Sequence, residues 1–492
     1  MDRISLAKRL IEINIWWDNH EVPKSIKRAE THRRLFYVVN KILDDERILA
    51  ITGPRQVGKT TMMGQLIEYQ IKEKNIPPER IMYLPIDNEL IKLYSSPEDI
   101  LTSCLDVYSS SIVGKKIRDL KNNIYIYLDE IQDLEKWDKI IKNLYDTYEN
   151  LRFIITGSSH SLLQKGFSES LVGRINIKTL LPLKFSEFLS FKEKNKGEDE
   201  ETKFNKKYGI WNLNSSFRAS VKNNNPEQLM RTIANLDSRI YSSKQHLTNL
   251  LDEYLIKGGF PHSVNSTTTS EAGQLLKQDL ELTIYKDIHR LFKTRDPSKM
   301  MSLLTYISEH TTAPISMNSL AKKAGTSWSI VDQFLNHFEQ IFLINKLTYC
   351  SEENGTTKSS MIRLKDTGIL NTLLSQMDEK SLMSDNYRIV STAVAGHAVH
   401  LMFKISQFTE KEIQYWSEDG HSDRTIEAII TKPAKLPIGV AYDERMLTEK
   451  IKAVTSFLRK NRLKYGIIIT KEKIGVENNI LFFPLVYFLL MC

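Results

Sequence analysis

Apolar runs alternate with segments of helical periodicity along the amino-terminal part of the chain. These runs lie within 48–51, 80–87, 124–132 and 151–159, and the later ones end in polar residues. Short buried strands that alternate with helices are typical of a parallel α/β sheet with helices on both faces. Ahead of the first run, residues 1–46 carry apolar side chains at helical spacing, which predicts amino-terminal helices packed on that sheet.

The first predicted strand leads into the pattern Gly-x-x-x-x-Gly-Lys-Thr, and a helical segment follows. In this context the glycines let successive backbone N–H groups point at phosphate oxygens, and the helix start adds its positive end. Lys59 is expected to contact the β- and γ-phosphates, and the Thr60 hydroxyl to bind Mg²⁺. An ordinary glycine turn is the alternative. The predicted nucleotide-binding residues are Gly53, Pro54, Arg55, Gln56, Val57, Gly58, Lys59, Thr60 and Thr61.

Two acids at the end of the third predicted strand supply the second half of this candidate site. Asp129 is expected to join Thr60 in holding Mg²⁺, and Glu130 to polarise the attacking water. Acids also occur at helix starts without any catalytic role. The phosphate-binding pattern upstream favours the functional interpretation.

Two further residues are candidates for sensing or stabilising the γ-phosphate. Ser158, after the fourth predicted strand, is the first choice for a sensor and Thr156 the second, with a helix N-cap as the alternative. Arg174 follows a glycine and is a candidate for stabilising transition-state charge. An ordinary surface arginine is the alternative there.

The runs G-P-R-Q-V-G-K-T, Y-L-D-E-I-Q, T-G-S-S, G-R and P-L-x-F-x-E-F resemble AAA-type P-loop ATPases of bacteria and archaea. Members of that family carry a winged helix and a carboxyl-terminal nuclease-like domain, and they are related to origin-recognition-like and signal-transducing ATPases. The resemblance starts near residue 34 and continues to the carboxyl terminus, except for a polar insert. It implies ATP and Mg²⁺ as cofactors, an arginine finger or sensor at Arg174, and an ATPase core at 47–191.

The segment after this core changes in composition twice. Residues 192–226 are charged and rich in asparagine, which predicts a mobile surface insert. Helical patterns return at 227–298 and predict a lid or linker. The Gly-Gly-Phe-Pro turn at 258–261 also matches the family, and it indicates a sharp helix stop with a structural role.

Residues 299–360 predict a winged helix-turn-helix, with a turn at Gly325. Binding to DNA and binding to a protein both remain open, because residues 281–350 hold eight Lys or Arg against six Asp or Glu. The core positions predicted for the second helix are Ile330, Val331, Phe334 and Leu335. The possible DNA contacts are Lys322, Lys323, Ser327 and Ser329, with Thr326 and Trp328 beside them.

Residues 361–492 resemble a restriction-endonuclease-like α/β core, which needs clustered acids and a lysine to hold Mg²⁺ and activate water. Glu427 stands in for the acid of the second strand. Gly439 and Ala441 occupy the acid-x-lysine positions, and His397 occupies that of a helix glutamate. The module is therefore predicted to be catalytically inactive and to function in docking to a partner or in holding DNA. The apolar end of the chain predicts a buried terminal strand.

The remaining composition narrows the setting of the protein. A net charge of +8 and a pI near 9.0 suit a nucleic-acid partner, but they equally suit a lysine-rich protein without one. The three cysteines, Cys104, Cys350 and Cys492, form no metal-binding spacing, and the amino terminus lacks a secretory signal. Both features predict a reducing, cytoplasmic location without membrane insertion.

The leading functional hypothesis is a Mg²⁺-dependent ATPase switch, slow or partner-stimulated, that acts on duplex DNA or on a protein. An oligomer is expected if Arg174 acts in trans. An ATP-binding regulatory scaffold with little hydrolysis is one alternative, and an ATP-driven DNA-processing nuclease is the other.

Overall fold

A computed structural model describes most of the chain, which divides into two compact units, residues 1–181 and residues 182–492. None of the described helices is long and apolar enough to cross a membrane. The described residues are 3–86, 97–157, 171–193, 198–288, 296–350, 359–384, 386–406, 413–418, 424–432 and 434–492.

A parallel sheet forms the centre of the first unit, as the alternating pattern predicts. Its described strands are β1 Ile48–Thr52, β2 Ile81–Pro85, β3 Ile124–Asp129, β4 Leu151–Gly157 and β5 Ile175–Thr179. They are ordered β2-β3-β4-β1-β5, so that β4 lies between the strand that leads into the phosphate loop and the strand that carries the two acids. Because every pair is parallel, the carboxyl ends of all these strands meet at one edge of the sheet.

Helices cover both faces of this sheet. They are α1 Arg3–Ile13, α2 Trp16–Asn19, α3 Lys24–Lys27, α4 Arg34–Asn40, α5 Lys59–Lys72, α6 Pro97–Val107 and α7 Trp137–Thr147. The apolar sides of α1, α6 and α7 pack on one face, and those of α4 and α5 pack on the other. Leu6, Leu10, Val39 and Leu43 are all buried at the predicted helical spacing. The amino-terminal helices thus pack on the sheet.

The second unit contains a mixed sheet. Its described strands are β6 Ile315–Ser316, β7 Ile344–Tyr349, β8 Ser359–Leu364, β9 Ile413–Ser417, β10 Thr425–Ile430, β11 Leu436–Val440, β12 Gly466–Thr470, β13 Gly475–Glu477 and β14 Ile480–Pro484. Their order is β13-β14-β12-β11-β10-β9-β7-β8-β6. Strand β7 pairs antiparallel with β8 and parallel with β9, so the predicted wing strands and the carboxyl-terminal module share one sheet. The boundary predicted between residues 360 and 361 falls inside β8.

Several of the described helices of the second unit precede its first strand in the sequence, and the others lie between or after its strands. They are α8 Phe185–Lys192, α9 Glu198–Lys207, α10 Ile210–Asn223, α11 Glu227–Arg239, α12 Lys244–Lys257, α13 Pro261–Asn265, α14 Thr269–Glu281, α15 Pro297–Glu309, α16 Met317–Ala324, α17 Trp328–Gln340, α18 Thr367–Leu373, α19 Glu379–Ser384, α20 Asn386–Ser406, α21 Glu444–Lys460 and α22 Leu485–Met491.

The described part of the predicted polar insert, from residue 198 onward, is mainly helical and belongs to the core, which corrects the prediction of a mobile surface segment. Helices α9 and α10 and the turn between them bury Phe204, Tyr208, Leu213 and Phe217 in the main apolar cluster of the second unit. These residues recur four apart, so each pair lies on one helical face while the charged residues between them face solvent. The average polarity of the segment concealed this amphipathic pattern.

Two further predictions need correction. The apolar carboxyl terminus is a strand only as far as Pro484, after which α22 begins with its side chains buried. Proline suits this position because a helix start needs no N–H from it. On α17, Val331, Phe334 and Leu335 are buried as predicted, but Ile330 is 39% exposed because it falls outside that apolar stripe.

The Gly-Gly-Phe-Pro turn meets the residues that precede α18. Gly258 ends α12 with a φ of +72°, and a Cβ placed there would lie 2.2 Å from the Asp366 Oδ1 atom. The Asp366 carboxylate accepts hydrogen bonds from the backbone N–H groups of Gly259, at 2.7 Å, and Ile369, at 3.1 Å. Burial raises the pKa of Asp366 to about 6. The turn therefore joins two helical segments, in agreement with its predicted structural role.

Candidate functional site

The candidate site lies at the carboxyl edge of the parallel sheet, where β1 ends and α5 begins. Gly58 precedes α5 with a φ of +100°, a conformation that L side chains rarely adopt. At the other end of the loop, a Cβ on Gly53 would lie 2.0 Å from the Leu180 carbonyl oxygen. Both glycines of the pattern are therefore required by the backbone, which curls between β1 and the first turn of α5.

Lys59 lies across this loop with only 5% of its surface exposed. Its Nζ atom donates to the carbonyl oxygens of Gly53, at 3.3 Å, and Pro54, at 3.1 Å. The Glu130 Oε1 atom lies 3.7 Å from the same ammonium group. The two residues that the sequence assigns to phosphate and to water are thus neighbours in the fold.

Asp129 collects hydroxyl groups from three different elements among the described residues. The Thr60 hydroxyl, from α5, donates to Oδ2 at 2.7 Å, and the Tyr83 hydroxyl, from β2, donates to the same oxygen at 3.0 Å. The Thr156 hydroxyl, from β4, donates to Oδ1. A carboxylate buried to this degree needs such donors, since only 4% of Asp129 is exposed.

Glu130 follows directly and adopts a left-handed backbone conformation, with a φ of +54°. Its N–H group donates to the Thr156 hydroxyl oxygen at 2.9 Å, and its carboxylate accepts from the Gln132 side-chain amide. Thr156 therefore fixes Asp129 and Glu130 relative to each other. The Glu130 side chain keeps 26% of its surface accessible, unlike the buried Asp129, and can meet a water molecule.

Thr60 and Asp129 suit a magnesium ion by the chemistry of their donors. Both offer oxygen atoms, and these lie 2.7 Å apart at the loop. Mg²⁺ in nucleotide sites typically takes one or two protein oxygens and completes its shell with phosphates and water. The described residues contain no cluster of three or more His, Cys, Asp or Glu that would form a denser metal site.

The other predicted nucleotide-binding residues differ in their exposure. Pro54 and Val57 are buried, Arg55 and Thr61 are half-buried, and Gln56 is exposed with a φ of +58°. Ser158, the first choice for a sensor, lies outside the described residues. The second choice, Thr156, is fully buried beneath the two acids.

Arg174 lies at the opposite edge of the sheet. It immediately precedes β5, and its carbonyl oxygen accepts from the N–H group of Ile48, the first residue of β1. The loop begins after the last residue of β1, and a strand of this length spans roughly 17 Å. The Arg174 Nε atom lies 3.2 Å from the Asp146 Oδ1 atom. The fold therefore does not bring Arg174 to the phosphate loop of its own chain.

Two residues of the site were not foreseen from the sequence. Tyr83 contacts Asp129, and Gln132 contacts Glu130, as described above. The sequence marks neither contact because each depends on which strands and loops become neighbours.

Arg33 precedes the first strand, and the sequence allows it to approach the nucleotide but favours an ordinary exposed arginine. The structure corrects that expectation of exposure, because Arg33 is buried. Its guanidinium donates to the carbonyl oxygens of Leu181, at 2.8 Å, and Val57, at 3.5 Å.

Comparison with known proteins supports the assignment of residues 53–60 as a phosphate-binding loop. Residues 45–189 match a family model described as an AAA domain, and residues 248–380 match one described as a domain of unknown function. Together with the loop geometry, the first match supports an AAA-type P-loop domain over residues 45–189, and with it ATP binding.

Proteins of two organisms are similar to this chain at low sequence identity. An uncharacterized protein of Methanocaldococcus jannaschii is 25% identical over 498 residues, which cover 98% of this chain and 95% of that protein. A second protein from the same organism is 26% identical over 393 residues, which cover 77% of this chain and 73% of that protein. An uncharacterized protein of Haemophilus influenzae is 26% identical over 242 residues, which cover 46% of this chain and 56% of that protein.

Solved structures of two archaeal proteins are also similar to parts of the chain. A Walker-type ATPase of Pyrococcus abyssi covers 72% of this chain and 98% of its own, with 15% identity and a TM-score of 0.38. The ADP form of the Aeropyrum pernix ORC2 protein covers 75% and 98%, with 11% identity and a TM-score of 0.33. The assignment above does not depend on these weak similarities.

The predicted DNA contacts of the second unit lie on α16 and at the start of α17. The turn between these helices is formed by Gly325, with a φ of +57°. Trp328 is 49% exposed, and its indole N–H group donates to the Asn318 side chain at 2.9 Å. The residues Lys322, Lys323, Ser327 and Ser329 are all exposed.

Glu427, the predicted stand-in acid, is fully buried in an ion pair with Lys450 of α21. Its carboxylate also accepts from the Tyr387 hydroxyl and from the Val440 N–H group, the latter at 2.7 Å. A lysine thus reaches the acid from a helix rather than from the third strand. Both carboxylate oxygens are occupied by protein donors, which supports the prediction of an inactive module.

Arg363 and His397 are buried residues of the same module, and their surroundings differ. Arg363 is fully buried, and burial lowers its pKa. His397, predicted at the position of a helix glutamate, instead accepts from the Phe185 N–H group at 3.2 Å and contacts the Ala393 carbonyl oxygen at 2.8 Å. Its ring nitrogens are therefore committed to backbone groups.

Breaking the Glu427–Lys450 pair should destabilise the second unit. We expect Glu427→Gln or Lys450→Met alone to cost about 3–5 kcal/mol of unfolding free energy, because each leaves a buried charge unpaired. The double variant should cost much less than the sum of the two. Denaturant titration of the four proteins measures this coupling.

The exposed pair Lys473–Glu477 provides the control, and Glu477→Gln should change the unfolding free energy by no more than about 1 kcal/mol. Metal-dependent DNA cleavage by the wild-type protein that disappears in Glu427→Ala would contradict a structural role for Glu427.

Proposed function

We propose that this protein is a Mg²⁺-dependent ATPase in which nucleotide turnover controls a binding module in the second unit. The observation that carries this proposal is the convergence of Lys59, Thr60, Asp129 and Glu130 at one edge of the sheet. An ATP-binding scaffold would need the first three residues but has no use for an acid aimed at water. The proximity of Glu130 to Lys59 therefore favours hydrolysis.

Each residue has a distinct task in this mechanism. The loop backbone and Lys59 bind the phosphates, and Lys59 exchanges its present carbonyl partners for phosphate oxygens when it does so. Thr60 and Asp129 hold the metal ion, which neutralises phosphate charge when bound. Glu130 orients a water molecule and accepts its proton as the water attacks the γ-phosphate, while the bond from the γ-phosphorus to the bridging oxygen breaks and ADP leaves. Its hydrogen bond from Gln132 holds the carboxylate in place for that step.

Two variants separate binding from hydrolysis. Lys59→Ala should abolish ATP binding, because it removes the buried ammonium group that lies across the loop, next to the Gly53 and Pro54 carbonyl groups. Glu130→Gln should bind ATP with near wild-type affinity. It should hydrolyse ATP at least roughly 10²-fold more slowly than the wild type, since the amide cannot accept the proton. Calorimetric titration and single-turnover hydrolysis measure the two quantities.

Unchanged ATP affinity in Lys59→Ala would refute the assignment of the loop. Equal single-turnover rates in Glu130→Gln and the wild type would instead favour the scaffold hypothesis. Lys72→Ala, an exposed lysine at the far end of α5, is the control for loss of charge.

We further propose that Arg174 acts on a neighbouring subunit. Its place at the amino end of β5 supports action in trans, because a side chain cannot span the length of β1 to its own loop. Its partner Asp146 is 42% exposed, so the pair lies where a second chain can approach. An arginine delivered to a γ-phosphate in this way stabilises transition-state charge.

Mixing inactive variants tests this arrangement. Lys59→Ala and Arg174→Ala should each hydrolyse ATP slowly, and an equimolar mixture should regain a substantial fraction of wild-type activity, because intact loops then meet intact arginines. Arg152→Ala, another arginine of the same unit, is the control. A mixture no more active than the average of its components would contradict action in trans.

We propose that the winged helix-turn-helix of the second unit binds a protein rather than duplex DNA. The exposed residues of α17 include Trp328 and Ile330 but no lysine or arginine, and Asp332 adds a negative charge. Phosphate contacts require several cations on one surface, and aromatic residues are enriched in protein interfaces. The Lys346 side chain approaches Asp332 at 3.4 Å, which further lowers the positive charge available.

Duplex DNA should therefore leave the ATPase rate unchanged and should show no more than weak, non-specific binding. We expect fluorescence anisotropy with labelled duplex to give indistinguishable results for the wild type and for a Lys322→Ala, Lys323→Ala double variant. Stimulation by DNA that this double variant loses would instead establish DNA as the partner.

A further inference from the structure

We infer that the amino-terminal helices position the proposed magnesium ligand, through a chain of contacts from Asn14 to Tyr83 to Asp129. The inference rests on the proposed function and assigns a task to a segment that precedes the AAA match at residues 45–189. It makes Tyr83 a positioning residue, which acts on the metal through Asp129.

The first link joins the segment after α1 to the edge of the sheet. Asn14 is fully buried, and its side chain pairs with both backbone groups of Tyr83. The Tyr83 N–H group donates to Asn14 Oδ1 at 2.6 Å, and Asn14 Nδ2 donates to the Tyr83 carbonyl oxygen at 3.0 Å. The amide of one side chain thus replaces a neighbouring strand at this position of β2.

Two tryptophans strengthen this link. The indole N–H groups of Trp16 and Trp17 both donate to the Ile81 carbonyl oxygen, at 3.1 Å and 2.8 Å. Since β2 is the edge strand of the sheet, its outward backbone groups would otherwise need water or another chain. The amino-terminal segment consequently fixes the position of β2 along the part that carries Tyr83.

The second link joins β2 to the site. Tyr83 pairs in register with Tyr127 of β3, and its hydroxyl donates to Asp129 Oδ2 at 3.0 Å. Tyr83 is 4% exposed, so the bond is shielded from competing water. It is the second donor to Oδ2, beside Thr60, while Thr156 holds Oδ1.

These donors restrict rotation of the Asp129 carboxylate. Removing the tyrosine hydroxyl leaves Oδ2 with Thr60 as its remaining side-chain donor among the described residues, and Thr60 is itself a proposed metal ligand. Hydrogen bonds to metal-binding carboxylates typically contribute 10–100-fold to metal affinity or activity. The Tyr83 hydroxyl should therefore affect the magnesium requirement of nucleotide binding more than it affects nucleotide binding without metal.

A matched substitution separates positioning from simple core packing. Tyr127, on the adjacent strand, is also buried, and its hydroxyl donates to Gln70 Oε1 at 2.7 Å, away from the site. Tyr83→Phe and Tyr127→Phe each remove one buried hydroxyl and leave a phenyl ring. Both should lower the melting temperature by a few degrees, because each leaves a buried acceptor short of a donor.

The experiment titrates Mg²⁺ against ATP binding by calorimetry in the full-length wild type and both variants. Half-saturating Mg²⁺ should rise about tenfold in Tyr83→Phe and stay unchanged in Tyr127→Phe. Binding of ATP in excess EDTA should be equal in all proteins. Asn14→Leu, which removes both contacts to the Tyr83 backbone, should raise half-saturating Mg²⁺ in the same direction.

Equal magnesium dependence in Tyr83→Phe and the wild type would overturn the inference, as would an equal shift in Tyr127→Phe. If half-saturating Mg²⁺ rose in Tyr83→Phe but not in Asn14→Leu, the role inferred for the amino-terminal helices would be refuted. A wild-type protein that binds no ATP would instead refute the proposed function, and the inference with it.

Discussion

The buried carboxylate of Asp129 is the constraint on which the nucleotide site depends. A charge at this depth is costly unless donors surround it, and here the donors are hydroxyl groups from α5, β2 and β4. Each lies on a different element, so the carboxylate is satisfied only when the sheet has its native strand order. The same bonds that stabilise the fold also hold the carboxylate next to Thr60, the other metal ligand that we propose.

Two of the buried acids, Asp129 and Glu427, show how similar residues acquire different tasks. Asp129 is held by hydroxyls, which can rotate and share their oxygen atoms with a metal ion. Glu427 is paired with the ammonium group of Lys450 and capped by a backbone N–H group, and it is fully buried. If a metal ion replaced Lys450 as the partner of Glu427, the buried lysine would be left unpaired, at a cost of several kcal/mol. The first arrangement suits chemistry, and the second suits a fixed core.

The nucleotide site is also connected to parts of the chain outside the strand–loop–helix pattern. Asn14 reaches it through Tyr83, and Arg33 ties the loop carbonyl of Val57 to Leu181, the last residue of the first unit. In the switch that we propose, this covalent connection is the route by which movement of the loop reaches the second unit.

The sequence by itself determined the parallel sheet, the phosphate loop and the two acids that follow β3. These features depend on local patterns, namely apolar runs of strand length, glycines that permit unusual backbone angles, and polar residues at strand ends. It also indicated the structural turn at 258–261. It failed for residues 198–226, where amphipathic helices lie within a polar composition, and for the last residues of the chain, where Pro484 starts a helix.

Only the tertiary structure decided which residues meet. The insertion of β4 between β1 and β3 brings Thr156 to both acids, and the edge position of β2 brings Tyr83 and Asn14 into contact. The parallel pairing of β5 with β1 sends Arg174 to the far edge, although the sequence places it shortly before a strand that ends at the loop. Strand order follows from packing between distant segments, so no local pattern carries it, and it is strand order that selects the partners of Asp129.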